Sequence, residues 1–289
     1  MNLTNINDIK ELLGRHGFRF SKSMGQNFLT AAWVPERIAG EALLSESTGV
    51  LEVGPGIGCL TEQLSYRAGK VLAVELDKAL KPVLSETLAH CPNVEIIFGD
   101  VLKQNLPELV REKFGDMRAC VCANLPYNVT SPLITSFLEA GCFDTITVMI
   151  QREVAKRICA LPGSADYGAF TLLVQWYADA EILFDVAPGC FIPQPKVTSS
   201  VIRLRTRERP PTEVRDREIF FRAVRSAFGM RRKTLLNALS SGFGDIGREE
   251  LEKILIFCKF DPKIRGEALS FGDFALISEA ISDFYAENL

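Results

Sequence analysis

An α/β protein is what this 289-residue sequence predicts. The expected form is a mostly parallel sheet with an antiparallel hairpin at its edge, followed by a small all-helical C-terminal domain. Three observations carry that expectation. Apolar, β-branched runs alternate with helical patterns through the first two-thirds of the chain, and strands apolar on both faces belong in a parallel sheet covered by helices on each side. Two later apolar runs are separated only by a Pro-rich loop, too short for a crossover helix, so they pair antiparallel. Beyond a polar, proline-bearing stretch the pattern turns wholly helical.

The strand-like runs in order are "GVLEVG" (Gly49 to Gly54), "KVLAVEL" (Lys70 to Leu76), "VEIIF" (Val94 to Phe98), "ACVCAN" (Ala119 to Asn124) and "TITVMIQ" (Thr145 to Gln151). Helical patterns lie between them at Cys59 to Ala68, Lys78 to Ala89 and Ser131 to Ala140. The hairpin pairs "AEILFDV" (Ala180 to Val186) with "SSVIRL" (Ser199 to Leu204). "RERPPTEVRD" (Arg207 to Asp216) has the composition of a linker. It divides the chain into an expected catalytic domain, 1–208, and a helical domain, 209–289, with helices at Glu218 to Phe228, Arg232 to Leu239, Arg248 to Phe257 and Phe274 to Phe284.

Composition removes several classes. A hydrophobic share of 47% buries a sizeable core, and no apolar stretch exceeds strand length, so no membrane span is expected. The N-terminal segment has neither the apolar core nor the cleavage site of a secretory signal, which points to a cytoplasmic protein. Eight cysteines without a Cys-x-x-Cys read as small buried hydrophobes. Only two histidines, His16 and His90, argue against a His-based zinc site or a Ser-His-Asp triad, and no metal is expected. The net charge of −3 is unevenly spread: Val201 to Lys233 holds eleven Arg or Lys and four acids, a local +7. That excess suits a polyanion or, equally, a solvated helix surface.

"LEVGPGIG" (Leu51 to Gly58) ends a strand with glycines that let a ligand approach the backbone, Gly54 and Gly56 among them, and then opens a helix. Glu75 ends the next strand 21 positions after Gly54, where a carboxylate meets both hydroxyls of a ribose. The pair leaves a dinucleotide and S-adenosylmethionine both open. Asp100, in "FGDVL", closes the third strand on the same edge and can accept from an adenine amine, although a turn cap is its plain alternative. Three consecutive strand ends of this kind suit an adenosine.

"ANLPYN" (Ala123 to Asn128) is the odd strand end: an amide, a proline and an aromatic, with no acid or base. An exocyclic adenine amine needs that arrangement. Its lone pair is delocalised into the ring, and what activates it is geometry. The Asn124 side-chain oxygen and the carbonyl of Leu125 or Pro126 each accept one N–H, drawing the nitrogen towards a pyramidal shape, while Tyr127 offers a face to the base. A strand-end turn capped by Asn is the alternative.

At these residues the chain resembles the KsgA-type small-subunit ribosomal RNA adenine dimethyltransferases. The likeness extends through "SMGQNFL" (Ser23 to Leu29), "NLPYNVTSPL", "IQREVAKRI", "DYGAFTLLVQ", "FIPQPKVTSSVIRL" and "AFGMRRKTLLNAL". The resemblance implies a Rossmann-like class I methyltransferase sheet, and S-adenosyl-L-methionine held by Asn27, Leu29, Gly54, Gly56, Glu75, Asp100, Val101 and Asn124. It implies two methyl transfers to each of two adjacent adenosines near the 3′ end of 16S RNA, in an assembling 30S particle; a monomer is expected, although the sequence itself does not fix the oligomeric state. Phe191 could stack the flipped adenine opposite Tyr127, or plug the loop beneath it. Arg222, Arg225, Arg231, Arg232 and Lys233 suit RNA phosphates. Met230 and Thr198 depart from the Gln and Asp expected there. The large-subunit methyltransferases of antibiotic-resistance type are the nearest rival, against which Gly25 before "QNF" and the "FIPQPKV" form weigh; a non-catalytic assembly factor on the same fold is the other.

Overall fold

Strand β2 (Thr48–Val53) is buried along its whole length, and everything in the first unit is arranged around it. The computed structural model describes residues 1–18 and 26–288, so Ser23 to Gly25 of the expected "SMGQNFL" motif lie outside the described residues. The chain forms two compact units. One comprises Met1–Ala155 with Asp179–Thr206, the other Lys156–Ala178 with Arg207–Leu289.

In the first unit the elements run α1 (Ile6–Arg15), β1 (Phe28–Leu29), α2 (Trp33–Glu41), β2, α3 (Cys59–Ser65), β3 (Lys70–Glu75), α4 (Lys81–Thr87), β4 (Val94–Phe98), α5 (Leu106–Phe114), β5 (Arg118–Asn124), α6 (Thr130–Ala140), β6 (Thr145–Gln151) and the start of α7 (Arg152–Ile158). After the excursion into the second unit, which carries α8 (Ala169–Tyr177), come β7 (Ala178–Val186), β8 (Phe191–Ile192) and β9 (Ser199–Thr206). Seven strands form one sheet in the order β4-β3-β2-β5-β6-β9-β7. The first five are parallel, and β9 runs antiparallel to β6 with Gln151 opposite Ser199. The expected edge pair, β7 beside β9, is present.

Alternation along the strands sorts the core into two layers. Val50, Val71 and Cys122 join Leu12 of α1, Leu64 of α3 and Leu84 of α4 in one cluster. On the opposite face, the ring of Phe114 in α5 occupies the space a side chain at Gly49 would need, 2.4 Å from a built Cβ. This explains why the strands read as continuous apolar runs: both faces are covered. The eight cysteines form no disulfide among the described residues, and Cys120 and Cys122 lie in the centre of β5.

Several elements were not expected. α1 has a plain start signal in Asn5, which accepts from the N–H groups of Asn7 and Asp8, and buries Ile9, Leu12 and Leu13 at helical spacing. β1 and β8 are two residues each and form a separate antiparallel ladder, Phe28 opposite Ile192 and Leu29 opposite Phe191.

The second unit contains α8, α9 (Arg217–Gly229), α10 (Leu235–Gly242), α11 (Arg248–Phe257) and α12 (Phe271–Asn288). The sequence places one boundary at 208/209; in the structure Lys156–Ala178 groups with the C-terminal helices. The cause is aromatic: Trp176 of α8 stands 5.1 Å from both Phe220 and Phe221 of α9 and 6.0 Å from Phe271. A long-range aromatic cluster outweighs sequence adjacency.

Candidate active site

The chain winds outward from β2 to β3 and β4, then returns to β5 on the other side of β2. The reversal between β2 and β5 is the switch point where an open α/β sheet binds its ligand, beyond the carboxyl ends of the strands. A cavity opens there, lined by Gln26 to Leu29, by Glu52 to Ile57, and by Glu75, Asp100 and the turn after β5. Its empty volume is about 1320 Å³ with the mouth included, ample for a nucleoside-sized ligand.

Every residue expected to hold a cofactor lines it: Asn27, Leu29, Gly54, Gly56, Glu75, Asp100, Val101 and Asn124. Gly54 and Gly56 have φ of +70° and +60°, a region a side chain rarely tolerates. A Cβ built at Gly56 comes within 3.1 Å of the Phe28 ring, so the strap of residues 26–29 lies close over the glycine turn. Glu75 is 6% exposed; its Oε1 accepts from the N–H of Asp77 at 2.8 Å and its Oε2 from that of Gly56 at 3.2 Å. Burial raises its pKa, and those two N–H donors oppose the rise. Asp77 in turn accepts from the Gln26 amide at 2.8 Å, tying the strap to the end of β3. Asp100 is a turn cap, Oδ1 accepting from the Leu102 N–H at 3.0 Å, and it also lines the cavity.

Among the described residues the lining holds the acids Glu75 and Asp100, a third carboxyl, Glu52, that burial pushes up to about 8, and no Lys, Arg or His. A dinucleotide brings a pyrophosphate into that field and is disfavoured by it. S-adenosylmethionine brings a net positive charge and fits. The charge of the lining thus separates two readings that the glycines and Glu75 left open.

The turn after β5 is held from both ends. Leu125 donates its N–H to the Met149 carbonyl at 3.1 Å. The Pro126 carbonyl accepts from the Val129 N–H at 3.2 Å and from the Thr130 hydroxyl at 3.1 Å. Of the two carbonyls considered for the amine, Pro126 is therefore occupied, and Leu125 has no donor among the described residues. Tyr127 lines the cavity with its hydroxyl 2.6 Å from Ser199 Oγ. Phe191 is 4% exposed, pairs with Leu29 across the β1–β8 ladder, shares one core cluster with Phe28 and Leu29, and is not part of the lining.

A family model described as ribosomal RNA adenine dimethylase matches residues 17–282. The chain belongs to the ribosomal RNA adenine dimethylase family. It is an S-adenosylmethionine-dependent enzyme, as the resemblance implied. A "Ribosomal RNA small subunit methyltransferase A" from Alkaliphilus oremlandii is 46% identical over 274 residues, covering 94% of this chain and 96% of the relative. The protein of the same name from Geobacillus thermodenitrificans is 46% identical over 280 residues, covering 96% of each. Among solved structures, the 23S rRNA methyltransferase ErmE superposes with a TM-score of 0.68 at 27% identity, covering 88% of this chain and 99% of that one. A Plasmodium falciparum dimethyladenosine transferase shares the fold, with a TM-score of 0.73 at 23% identity over 90% of this chain and 98% of that one.

One cavity residue of this dimethylase was not anticipated. Glu52, in β2, is 1% exposed, and its Oε2 has no hydrogen-bond partner among the described residues. Burial, aided by the nearby Glu75 charge, pushes its carboxyl up to about 8. The available signal was a lone acid inside an otherwise apolar strand, two positions before the first glycine.

The basic residues of the dimethylase's second unit divide into two groups. Arg222 donates from Nε to the Gly242 carbonyl at 2.8 Å, pairs with Asp245, and lies 4.3 Å above the Phe243 ring. Arg231 donates to the Ala165 carbonyl at 3.0 Å and lies 3.7 Å from the Glu267 carboxylate. Arg225, Arg232 and Lys233 are exposed and form no ion pair among the described residues.

Proposed function

We propose that this chain methylates the N6 amines of two adjacent adenosines near the 3′ end of small-subunit ribosomal RNA, twice each. It works as a monomer in the cytoplasm, on the assembling small subunit. The observation that carries the chemistry is the turn Asn124–Tyr127 at the switch-point cavity. It presents two neutral acceptors and an aromatic face, and no base.

In this reading the Asn124 oxygen and the Leu125 carbonyl take the two N–H groups of the adenine amine and turn its lone pair outward. Pro126 keeps the turn stiff, its own carbonyl being occupied within the turn. Fixed acceptors of this kind lower a barrier without reorganising during the reaction. Tyr127 stacks the base once it has left its helix. Glu75 would take the ribose hydroxyls of S-adenosylmethionine and Asp100 its adenine, beside Val101, while Gly54 and Gly56 leave room and Asn27 and Leu29 face the cofactor from the strap. Bound there, the cofactor supplies a methyl group on a cationic sulfur. Phe191 holds the strap by pairing with Leu29 and packing in the same core cluster, in place of the stacking role expected for it. Arg225, Arg232 and Lys233 are the basic positions open to RNA phosphates, with Arg222 and Arg231 contributing mainly to the helical unit itself.

The small-subunit target is supported by relatives of that name at 46% identity across nearly the whole chain, against 27% for the 23S enzyme. The test is transfer of labelled methyl groups to purified small subunits lacking the modification, followed by mapping of the label. Two adjacent dimethyladenosines near the 3′ end of the small-subunit RNA are expected. Label confined to large-subunit RNA overturns the assignment.

A further inference from the structure

We propose that Ser199 is the positioning residue for Tyr127, holding its ring in the one plane from which a base can be stacked beside Asn124. The inference rests on the reading of Tyr127 as the stacking face.

Among the described residues two aromatics line the cavity, Phe28 and Tyr127. The Phe28 ring lies against Gly56, on the side of the glycine turn. Tyr127 alone belongs to the turn that carries Asn124, and with Phe191 buried it is the aromatic face open to an incoming base. Yet Tyr127 begins a short 3-10 turn, Tyr127–Val129, in which no residue is buried. A half-buried tyrosine on such a turn has rotamers open to it unless something holds the ring. The hydroxyl removes that freedom. It meets Ser199 Oγ at 2.6 Å, so the ring is pinned at both ends, by its Cα and by its oxygen.

The anchor itself is rigid. Ser199 is fully buried and is the first residue of β9, opposite Gln151 of β6. Its neighbours are tied as well: the Thr198 carbonyl accepts from the Arg152 N–H at 3.0 Å, and Ser200 donates to Asp185 Oδ1 at 2.6 Å. The bond therefore joins the catalytic turn to the antiparallel edge of the sheet, 72 residues away in sequence. Burial raises the Tyr127 phenol above its ordinary range, and the bond to Ser199 opposes the rise. A hydroxyl is required at position 199 for its hydrogen-bonding capacity, and alanine there leaves the Tyr127 oxygen without a partner.

The experiment compares Ser199→Ala, Tyr127→Phe, the double variant and Ser199→Thr in transfer to unmodified small subunits. Each single variant is expected to lower kcat about 5- to 20-fold and to raise the share of monomethylated adenosine, because the second transfer needs the base held in place again. The double variant is expected to match the singles rather than multiply their effects. Ser199→Thr should restore most of the rate, and the cofactor dissociation constant should stay unchanged throughout. Multiplicative losses in the double variant, or Tyr127→Phe within twofold of the parent in rate and product ratio, overturn the positioning role. If Ser199→Ala fails to fold, Tyr127→Phe removes the same bond from the open side and decides the matter. Tyr127→Ala separates the two layers: a loss under tenfold in kcat sinks the stacking reading itself, whatever Ser199 does.

Discussion

The backbone N–H of Gly56 donates to the Glu75 carboxylate at 3.2 Å, joining the glycine turn after β2 to the end of β3. A second N–H, from Asp77, meets the other oxygen at 2.8 Å. The carboxylate is thereby oriented before any ligand arrives, with lone pairs to spare for two ribose hydroxyls. Glu75→Ala should raise the dissociation constant for S-adenosylmethionine by about 10²-fold, since two hydrogen bonds to a charged group disappear. Calorimetry with the cofactor, alongside a binding assay with small subunits, checks this. An equal loss in both assays assigns the carboxylate a purely structural role.

Asn124 stands at the other side of the same cavity, next to a turn whose Pro126 carbonyl is already occupied. Asn124→Ala leaves the Leu125 carbonyl as the amine's single acceptor. We expect kcat to fall about 10²- to 10³-fold, the scale set by removal of one fixed donor or acceptor at a reacting centre. Single-turnover transfer measures it. The melting temperature should hold, because Asn124 is only partly buried and caps no helix. Residual activity above a tenth of the parent contradicts the role.

Glu52 supplies a stability prediction. In the unfolded chain its carboxyl titrates near 4.5, and in the folded protein burial moves it to about 8. Across that window the folded state keeps a proton the unfolded state has released. The contribution is thus fully present below about 4.5, declines as pH rises, and is gone once pH has passed about 8, with a slope of at most about 1.4 kcal/mol per pH unit. Other groups titrate as well, so the comparison must be with Glu52→Gln, which mimics the protonated acid. That variant should match the parent near pH 4 and exceed it in stability at pH 8.5. Denaturant unfolding at three pH values decides it; parallel curves would falsify the assignment.

Basic residues that looked equivalent in sequence should behave differently. Neutralising Arg225, Arg232 and Lys233 together should weaken binding to small subunits and flatten its salt dependence by up to about 3 in log–log slope, roughly one for each phosphate left without its cation. Arg222→Ala should leave that slope nearly unchanged and lower the stability of the helical unit by about 1–2 kcal/mol, because it breaks bonds to Gly242 and Asp245. Salt titrations of the two variants separate these outcomes.

Much of the first unit is legible in the sequence. β4 and β6 occupy the runs Val94 to Phe98 and Thr145 to Gln151 as expected, and the other long strands differ at their ends by one or two residues. Strands buried on both faces carry their own signal, since each residue must be apolar. The missed pieces have local reasons. α2 contains Pro35 and Gly40, which mask its helical period, and β1 and β8 are two-residue strands held by a partner 164 positions away, Phe28 opposite Ile192. Lys156–Ala178 falls in the other unit than expected because an amphipathic helix does not announce which core its apolar face will join.

The chemistry of the site was written in the order of residues along the chain. Glycines after the first strand, an acid after the second and third, and Asn-Leu-Pro-Tyr after the fourth in that series each follow from local backbone demands that sequence records directly. Tertiary structure alone decided which of two turn carbonyls is left without a donor among the described residues, that Phe191 faces inward, that Glu52 is buried with its carboxyl pushed upward, and that Tyr127 is moored to a serine on another strand. Those outcomes depend on which atoms from distant segments compete for the same hydrogen bond or the same space. That competition exists only after the chain has closed on itself.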